Sequence, residues 1–444
     1  MVTGGDGARA RGVLGRYAAG AVLVRLADEG ARVALVLLAM ERTGSAAYGG
    51  VLVAALMIPH VVAGPVVGAI ADGVRRRRLF YLLALLGYGG ALLAAVALAT
   101  VSRPLSVALV VLAGSLAPVM LGGLTSLLRD LVPDRLDKAF GLDAMSYNLA
   151  GIAGPGIAAV TAGFAGATAA TAVLVALVAA GVLVLSTLPI RDRPARAHRP
   201  DGAGRATPLA AVPLLWRRRR LGAVTLASSI GYLGIGALPV AAALLAGQFR
   251  HPSYTGLFLA VASAGGLVGS LWWARYPIRS QPPERVVLAS LLATAVPFAL
   301  VPAMPTVWAT LPLFALVGVL SGPLFCSVLA VRDQEAPPAV HTQVFTLGAG
   351  LKTTAAAGGA ALAGATTGAG AAVLLLGVAA CQALGAVAGA AMLRRASARR
   401  PGGRAARRRR ARAGPAARPR RGPPRRRRAV AGRRGRGWSD STSP

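Results

Sequence analysis

Apolar residues gather into twelve runs along the chain, at roughly 14–40, 47–71, 79–101, 105–128, 140–163, 167–188, 221–246, 254–275, 286–304, 307–331, 343–365 and 369–393. Most approach or exceed the roughly 20 residues that a helix needs to cross a hydrocarbon core. Six runs precede a polar stretch at 189–220 and six follow it. The pattern predicts an all-α membrane protein of twelve transmembrane helices. It divides into a first half (1–188), a linker (189–220), a second half (221–393) and a tail (394–444). Pro59, Pro118, Pro155, Pro239 and Pro323 fall inside runs, where they predict kinks rather than loops.

The first run is broken by Arg25, Asp28, Glu29 and Arg32. At 100° per residue these four share one helix face, with Arg25 in reach of Glu29 and Asp28 in reach of Arg32. Lipid does not tolerate such a face, so it must look into protein or a wet cavity. A quartet that only fixes helix packing and a quartet that acts in transport both fit this pattern. Two further polar groups lie at depth, His60 in the second run and Lys352 in the eleventh. The eleventh run holds no Asp or Glu to balance Lys352.

Composition supports the membrane reading. The chain of 444 residues is 55% hydrophobic and 14% charged, with mean hydropathy +0.60, whereas soluble domains carry about 25% charged residues. Arg9, Arg11 and Arg16 resemble the start of a secretion signal, but the following run is long and carries four charges, so it is expected to be retained as the first span. Of the 49 Lys and Arg, 43 fall in one set of alternate loops together with the termini, and only Arg42, Arg103 and Arg250 fall in the opposite set. The positive-inside rule then places both termini in the cytoplasm, with the protein in the plasma membrane. Leu214-Leu215-Trp216, ahead of Arg217 to Arg220, is expected to form a short interfacial helix. The tail holds twenty arginines and a single acid, Asp440. It is expected to be disordered, with anionic lipid headgroups as its partners and no specific nucleic acid.

Several chemistries find no residues to carry them. Cys326 and Cys381 lie in apolar runs and offer neither a disulfide framework nor a metal site. The four histidines are scattered, without the H-E-x-x-H pattern. Gly348-Ala-Gly-Leu-Lys352-Thr-Thr only superficially resembles a phosphate loop, since Leu351 stands where glycine is needed. No enzyme activity, cofactor or metal is expected.

After the second run comes Gly64-Pro-Val-Val-Gly68-Ala-Ile-Ala-Asp72-Gly-Val-Arg75-Arg76-Arg77-Arg78. Small residues at 64 and 68 admit a close helix neighbour, and Asp72 at the membrane edge can lock onto a neighbouring helix end. Here the sequence resembles the major facilitator superfamily, whose signature between spans two and three reads G-x-x-x-D-x-x-x-R-[RK]. Gly68, Asp72, Arg76 and Arg77 match it, and Arg75 stands where glycine is frequent. The corresponding place after span eight holds Trp273 instead of Asp. Span five resembles the drug/proton antiporters of the superfamily, with Gly141, Ala150, Gly154, Pro155, Ala158 and Ala159 at the spacing of their G-x8-G-x3-G-P-x2-G-G motif. No charge interrupts span four, where those antiporters often carry Arg. Within the superfamily, span one and the Gly64–Arg78 block look most like exporters of macrolides and of catechol siderophores.

The resemblance implies a major facilitator fold, two six-helix bundles with a substrate path between them and alternating access by rocking. It implies a monomer, and it brings spans two and eleven together, so that Lys352 is expected to pair with Asp28, Glu29 or an anionic substrate. His60 would relay a proton or bond a carbonyl freed by Pro59. The expected function is secondary active export of amphipathic small molecules in exchange for protons. Asp28 and Glu29 are the protonatable groups, poised by Arg25 and Arg32, while Asp72, Arg76 and Arg77 act in a cytoplasmic gate. Few aromatic residues (5%) suggest a broad apolar cavity with few stacking sites. The alternatives are a carrier of an anionic metabolite or siderophore, read by Arg25, Arg32 and Lys352, and a non-transporting anchor whose basic tail recruits lipid or nucleic acid.

Overall fold

The computed structural model describes residues 4–192, 209–251, 254–277 and 280–398. The expected disorder and lipid contacts of the tail concern residues 399–444 above all, which lie outside the described residues, as does 193–208 of the linker. Among the described residues there are helices and no strands. The first half runs α1 (Gly4–Thr43), α2 (Ala46–Met57), α3 (Pro59–Gly73), α4 (Arg77–Leu98), α5 (Arg103–Leu116), α6 (Gly122–Leu131) and α7 (Leu136–Ser186). After the short α8 (Val212–Arg217), the second half runs α9 (Arg219–Gln248), α10 (Tyr254–Arg275), α11 (Pro283–Leu300), α12 (Val307–Glu335), α13 (His341–Ala365) and α14 (Gly370–Ala398).

Nine helical segments among the described residues are long and apolar enough to cross a membrane. They do not include α1, which its charges interrupt, or α13, made largely of Ala, Gly and Thr. The 51 residues of α7 would reach about 77 Å as one straight helix, more than twice a bilayer core. They double back instead. Tyr17 donates to Asp143 near the start of α7, and Arg16 donates to the Thr187 carbonyl just past its end. Glu41, at the other end of α1, accepts from Ala167 N–H at 2.6 Å. With α7 counted as two arms, the architecture is consistent with twelve passes.

The reversal sits at Gly166, with φ 84° and ψ 164°, a conformation essentially confined to glycine. Glu41 takes up the N–H that the turn frees at the start of the second arm. Gly166→Ala is expected to cost about 1–3 kcal/mol through backbone strain, read as a lower unfolding temperature in detergent. An unchanged temperature would show that the turn relaxes freely.

Proline acts unevenly. The helix breaks between α2 and α3 at Ile58, with Pro59 in the first turn of α3, and at the 3-10 turn Ala117–Val119 around Pro118. Pro155, Pro239 and Pro323 sit inside helices that continue through them. After Pro118 the backbone at Leu121 leaves helical angles, and such irregular backbone at depth must face protein or water, whereas Ile58 before Pro59 keeps helical angles. Both breaks lie beside the cavity described next.

Each half has its own apolar core. The first-half core also receives Trp273, Cys326, Leu329 and Phe345 from the second half, whereas another core is built wholly from α9 to α14 and the turns between them. In α8, Leu214 and Leu215 pack on apolar residues of α9 and α13 while Trp216 is exposed.

Candidate functional site

A cavity of about 330 Å³ lies between the halves, large enough for a small-molecule ligand. The first half contributes Glu29, Arg32, Met57 and Tyr147, and the second contributes Tyr232, Phe325, Arg332 and Lys352. Alanines of α13, with Gly122 and Gly236, complete the wall. Four aromatic residues, Tyr147, Tyr232, Phe325 and Phe345, line the cavity. Tyr147 and Phe325 meet edge to face at 5.2 Å across the halves, contrary to the expectation of few stacking sites.

The charged face of α1 divides in two. Arg32 pairs with Glu29 at 2.7 Å and with Asp28 at 3.3 Å. Asp28 is buried and also accepts from the Tyr88 hydroxyl at 3.1 Å. Glu29 and Arg32 are partly exposed at the cavity wall.

Arg25 does not pair with Glu29 as its helix face suggested. It turns away into the first half and pairs with Asp143 at 2.8 Å, both side chains at most 1% exposed. Just after the break at Pro118, the carbonyls of Met120 and Leu121 accept from Arg25 at 3.1 and 3.4 Å, the latter shared with Thr125. Ser146 and Thr125 accept as well, and the guanidinium lies 3.7 Å from the Tyr147 ring centre. Asp143 in turn accepts from Tyr17 at 2.6 Å and from Thr125 at 2.8 Å. A buried guanidinium needs a carboxylate and several acceptors together. This pocket supplies them, whereas Glu29 is already held by Arg32. Asp143 is a site residue that the sequence reading passed over, although an acid inside the apolar run 140–163 was a visible signal.

His60 is buried, and neither ring nitrogen finds a hydrogen-bond partner among the described residues. It lies within electrostatic range of Asp28 and Arg32. The backbone carbonyl of Met57, beside the Pro59 break, also interacts with the ring. Lys352 reaches no carboxylate within ion-pair distance among the described residues. Its ammonium instead faces the rings of Tyr232 and Phe325 at 4.5 Å and Tyr147 at 5.4 Å, across the cavity it shares with Glu29.

Arg332 was counted with the loop bases, but α12 continues to Glu335 and carries Arg332 into the cavity wall, where it is 5% exposed. It forms no ion pair among the described residues, and its Nε is buried without a hydrogen-bond partner.

The cavity is closed at one end, the end where residue 192 leaves the first half and α9 enters the second. There the Asp72 carboxylate accepts from the backbone N–H of Thr342 and Gln343 at 3.0 and 2.9 Å, the first turn of α13. An acid at a helix N-terminus takes up donors that the helix cannot satisfy itself. Gly64 and Gly68 lie against the α13 backbone so closely that a Cβ at either would meet it. Nearby, Ser126 donates to Thr342 at 3.1 Å and Arg129 to the Asp333 carbonyl at 2.8 Å. Arg77 pairs with Asp130 inside its own half, and Arg76 is exposed without an ion pair among the described residues. Of the span-five motif, Gly141 meets Ala274 of the other half. Gly154 and the helix at Pro155 lie against α1 instead, Gly154 touching Leu26, Glu29 and Gly30.

A central cavity between two helical halves, lined by ionisable groups and shut at one end, is the arrangement of an alternating-access carrier. The sequence model of the Major Facilitator Superfamily matches residues 17–360, and the chain belongs to that superfamily. It is a transporter rather than an enzyme. The multidrug efflux pump Tap of Mycobacterium tuberculosis is 27% identical over 332 residues, which span 68% of this chain and 75% of that protein. Tap of Mycobacterium bovis matches equally. Among solved structures, a bacterial homologue of the iron transporter ferroportin, in an outward-facing state, superposes with TM-score 0.69 at 14% identity, covering 86% of this chain and 99% of that one. The human organic anion transporter TETRAN gives TM-score 0.62 at 18% identity, covering 86% and 98%. These two likenesses speak to the fold alone.

Proposed function

We propose that this transporter exports amphipathic small molecules by alternating access, with protons moving the other way through Asp28 and Glu29. The carrying observation is the cavity itself, where Glu29 and Arg32 face aromatic and small apolar side chains while Asp72 and α13 shut one end. The likeness to Tap supports efflux. The bases gathered at the closed end make it the cytoplasmic one, so the state described opens outward from a plasma membrane. The protein works as a monomer, and its basic tail meets anionic headgroups. Asp72 and the glycines at 64 and 68 form the cytoplasmic gate. The pair Arg25–Asp143 holds α1 and α7 together beneath the proton sites.

The test uses full-length protein in vesicles with a pH-sensitive dye, challenged with lipophilic cations, macrolides and catechols. Wild type is expected to move protons when one class is added. Asp28→Asn/Glu29→Gln is expected to do so at least tenfold more slowly. Undiminished proton movement in the double variant removes both carboxylates from the coupling role.

A further inference from the structure

We propose that Arg332 and Lys352 form the subsite for an acidic group on the cargo, with Tyr232, Phe325 and Tyr147 as the platform for an adjoining ring. The inference rests on reading the central cavity as the cargo site, and it names the chemical class of that cargo.

Two cations without an ion pair among the described residues share one wall, with Lys352 in longer-range reach of Glu29. Arg332 is only 5% exposed and has no ion pair among the described residues; its Nε has no hydrogen-bond partner among them. Its guanidinium packs over Gly348, where a Cβ would meet it. Gly348 and Lys352 are four apart on α13, so both cations lie at successive turns of the same helix face. Two cations on one cavity wall suit a carboxylate, sulfonate or enolate on the cargo. The acids nearby are engaged elsewhere, since Asp28 and Glu29 hold Arg32 and Asp143 holds Arg25. The anion-reading set expected from sequence was Arg25, Arg32 and Lys352. The structure withdraws the first two, both paired, and supplies Arg332.

Buried charge without a counter-charge is costly, and an anion arriving from water relieves it. With Asp28 and Glu29 ionised, these two acids and Arg32, Arg332 and Lys352 sum to +1, so one acidic group on the cargo brings the set to zero. A neutral loaded site is the form that crosses a membrane interior most readily. Empty and protonated, the site is positive and is drawn inward by an inside-negative potential. Export of the cargo and entry of the proton then share one electrical direction. The ring platform adds shape, because Lys352 is already flanked by aromatic faces to which a planar cargo can add another.

The experiment measures equilibrium binding of 2-naphthoate, 2-naphthamide and a naphthylmethyl trimethylammonium ion to the full-length protein in detergent. Naphthoate is expected to bind at least tenfold more tightly than either analogue. Lys352→Gln and Arg332→Gln should each weaken it tenfold or more, while Lys352→Arg stays within about threefold of wild type. Inorganic phosphate at equal concentration should not displace it, which separates an aryl acid from a bare anion. The Gln variants should unfold at no lower temperature than wild type, since each removes an unpaired buried cation. Tighter binding of the cationic analogue, displacement by phosphate, or unchanged naphthoate affinity in both Gln variants would overturn the inference. Loss of proton movement is read separately, in Asp28→Asn/Glu29→Gln. Naphthoate binding that survives in that variant upholds this subsite even if proton exchange fails.

Discussion

Asp143→Ala is expected to destabilise the protein by about 3–5 kcal/mol and to abolish transport, because it strands Arg25 as an uncompensated buried charge. Arg25 and Asp143 are 1% and 0% exposed, and neither can reach water without opening the α1–α7 contact. Asp143 also receives the Tyr17 and Thr125 hydroxyls; its removal orphans the Tyr17 hydroxyl, while Thr125 retains the Leu121 carbonyl at 3.0 Å. The neutral isostere separates these effects. Asp143→Asn keeps an acceptor for Tyr17 or Thr125 and is expected to lose less than the alanine variant. Removing both charges in Arg25→Met/Asp143→Leu should recover more than half of the stability lost in Asp143→Ala, since replacing a buried pair with apolar groups is often neutral. It should not recover transport, because the carbonyls of Met120 and Leu121 lose the donor that fixes the break between α5 and α6 beside the cavity. Unfolding in detergent and flux in vesicles give the two readouts. A double variant no more stable than Asp143→Ala would mean that the ion pair is not the source of the loss.

The same network shows where sequence reasoning reached and where it stopped. The charged face of α1 was legible because charge inside an apolar run has one physical meaning, a protein-facing or wet surface. Its pairing was not. Helix periodicity reports only neighbours on the same helix, so Glu29 was offered to Arg25, while the winning partner stood 118 residues away. Arg332 was missed for a related reason. Its apolar run ends at Val331, yet α12 continues for another turn and packs that turn inside the protein. Asp72 was legible as a lock on a helix end, since an acid beside the membrane edge after small residues carries its own geometry. That the helix end belongs to α13 depended on how the halves meet, and that Arg77 turns instead to Asp130 depended on packing within the first half. The aromatic wall was invisible in composition, because an average of 5% cannot show that Tyr147, Tyr232 and Phe325 converge from three helices.

The contact between α3 and α13 yields the second large effect, and Cys326 is a built-in reporter for it. Gly68→Leu is expected to prevent closure of the end that Asp72 caps, raising the reaction rate of Cys326 with N-ethylmaleimide at least tenfold. A side chain at 68 has no room, since even a Cβ would fall on the backbone of Gln343 and the hydroxyl of Thr346. Separation there also pulls the Thr342 and Gln343 N–H groups from Asp72, two charge-assisted bonds worth roughly 1.5–3 kcal/mol each. Cys326 lies on α12 at the same meeting of halves, 1% exposed, with its thiol 3.5 Å from the Phe140 carbonyl on α7. When the halves part at this end, the thiol is uncovered. A tenfold rise corresponds to about 1.4 kcal/mol of population shift, well within what the lost contacts supply. The measurement is made in a Cys381→Ser background, because Cys381 is partly exposed and would label independently. Asp72→Ala should move Cys326 in the same direction by less, since it removes the bonds and leaves the close packing. If Gly68→Leu leaves the labelling rate unchanged, the approach of α3 to α13 is not what shuts this end, and closure must rest on the α7–α10 and α7–α12 contacts instead.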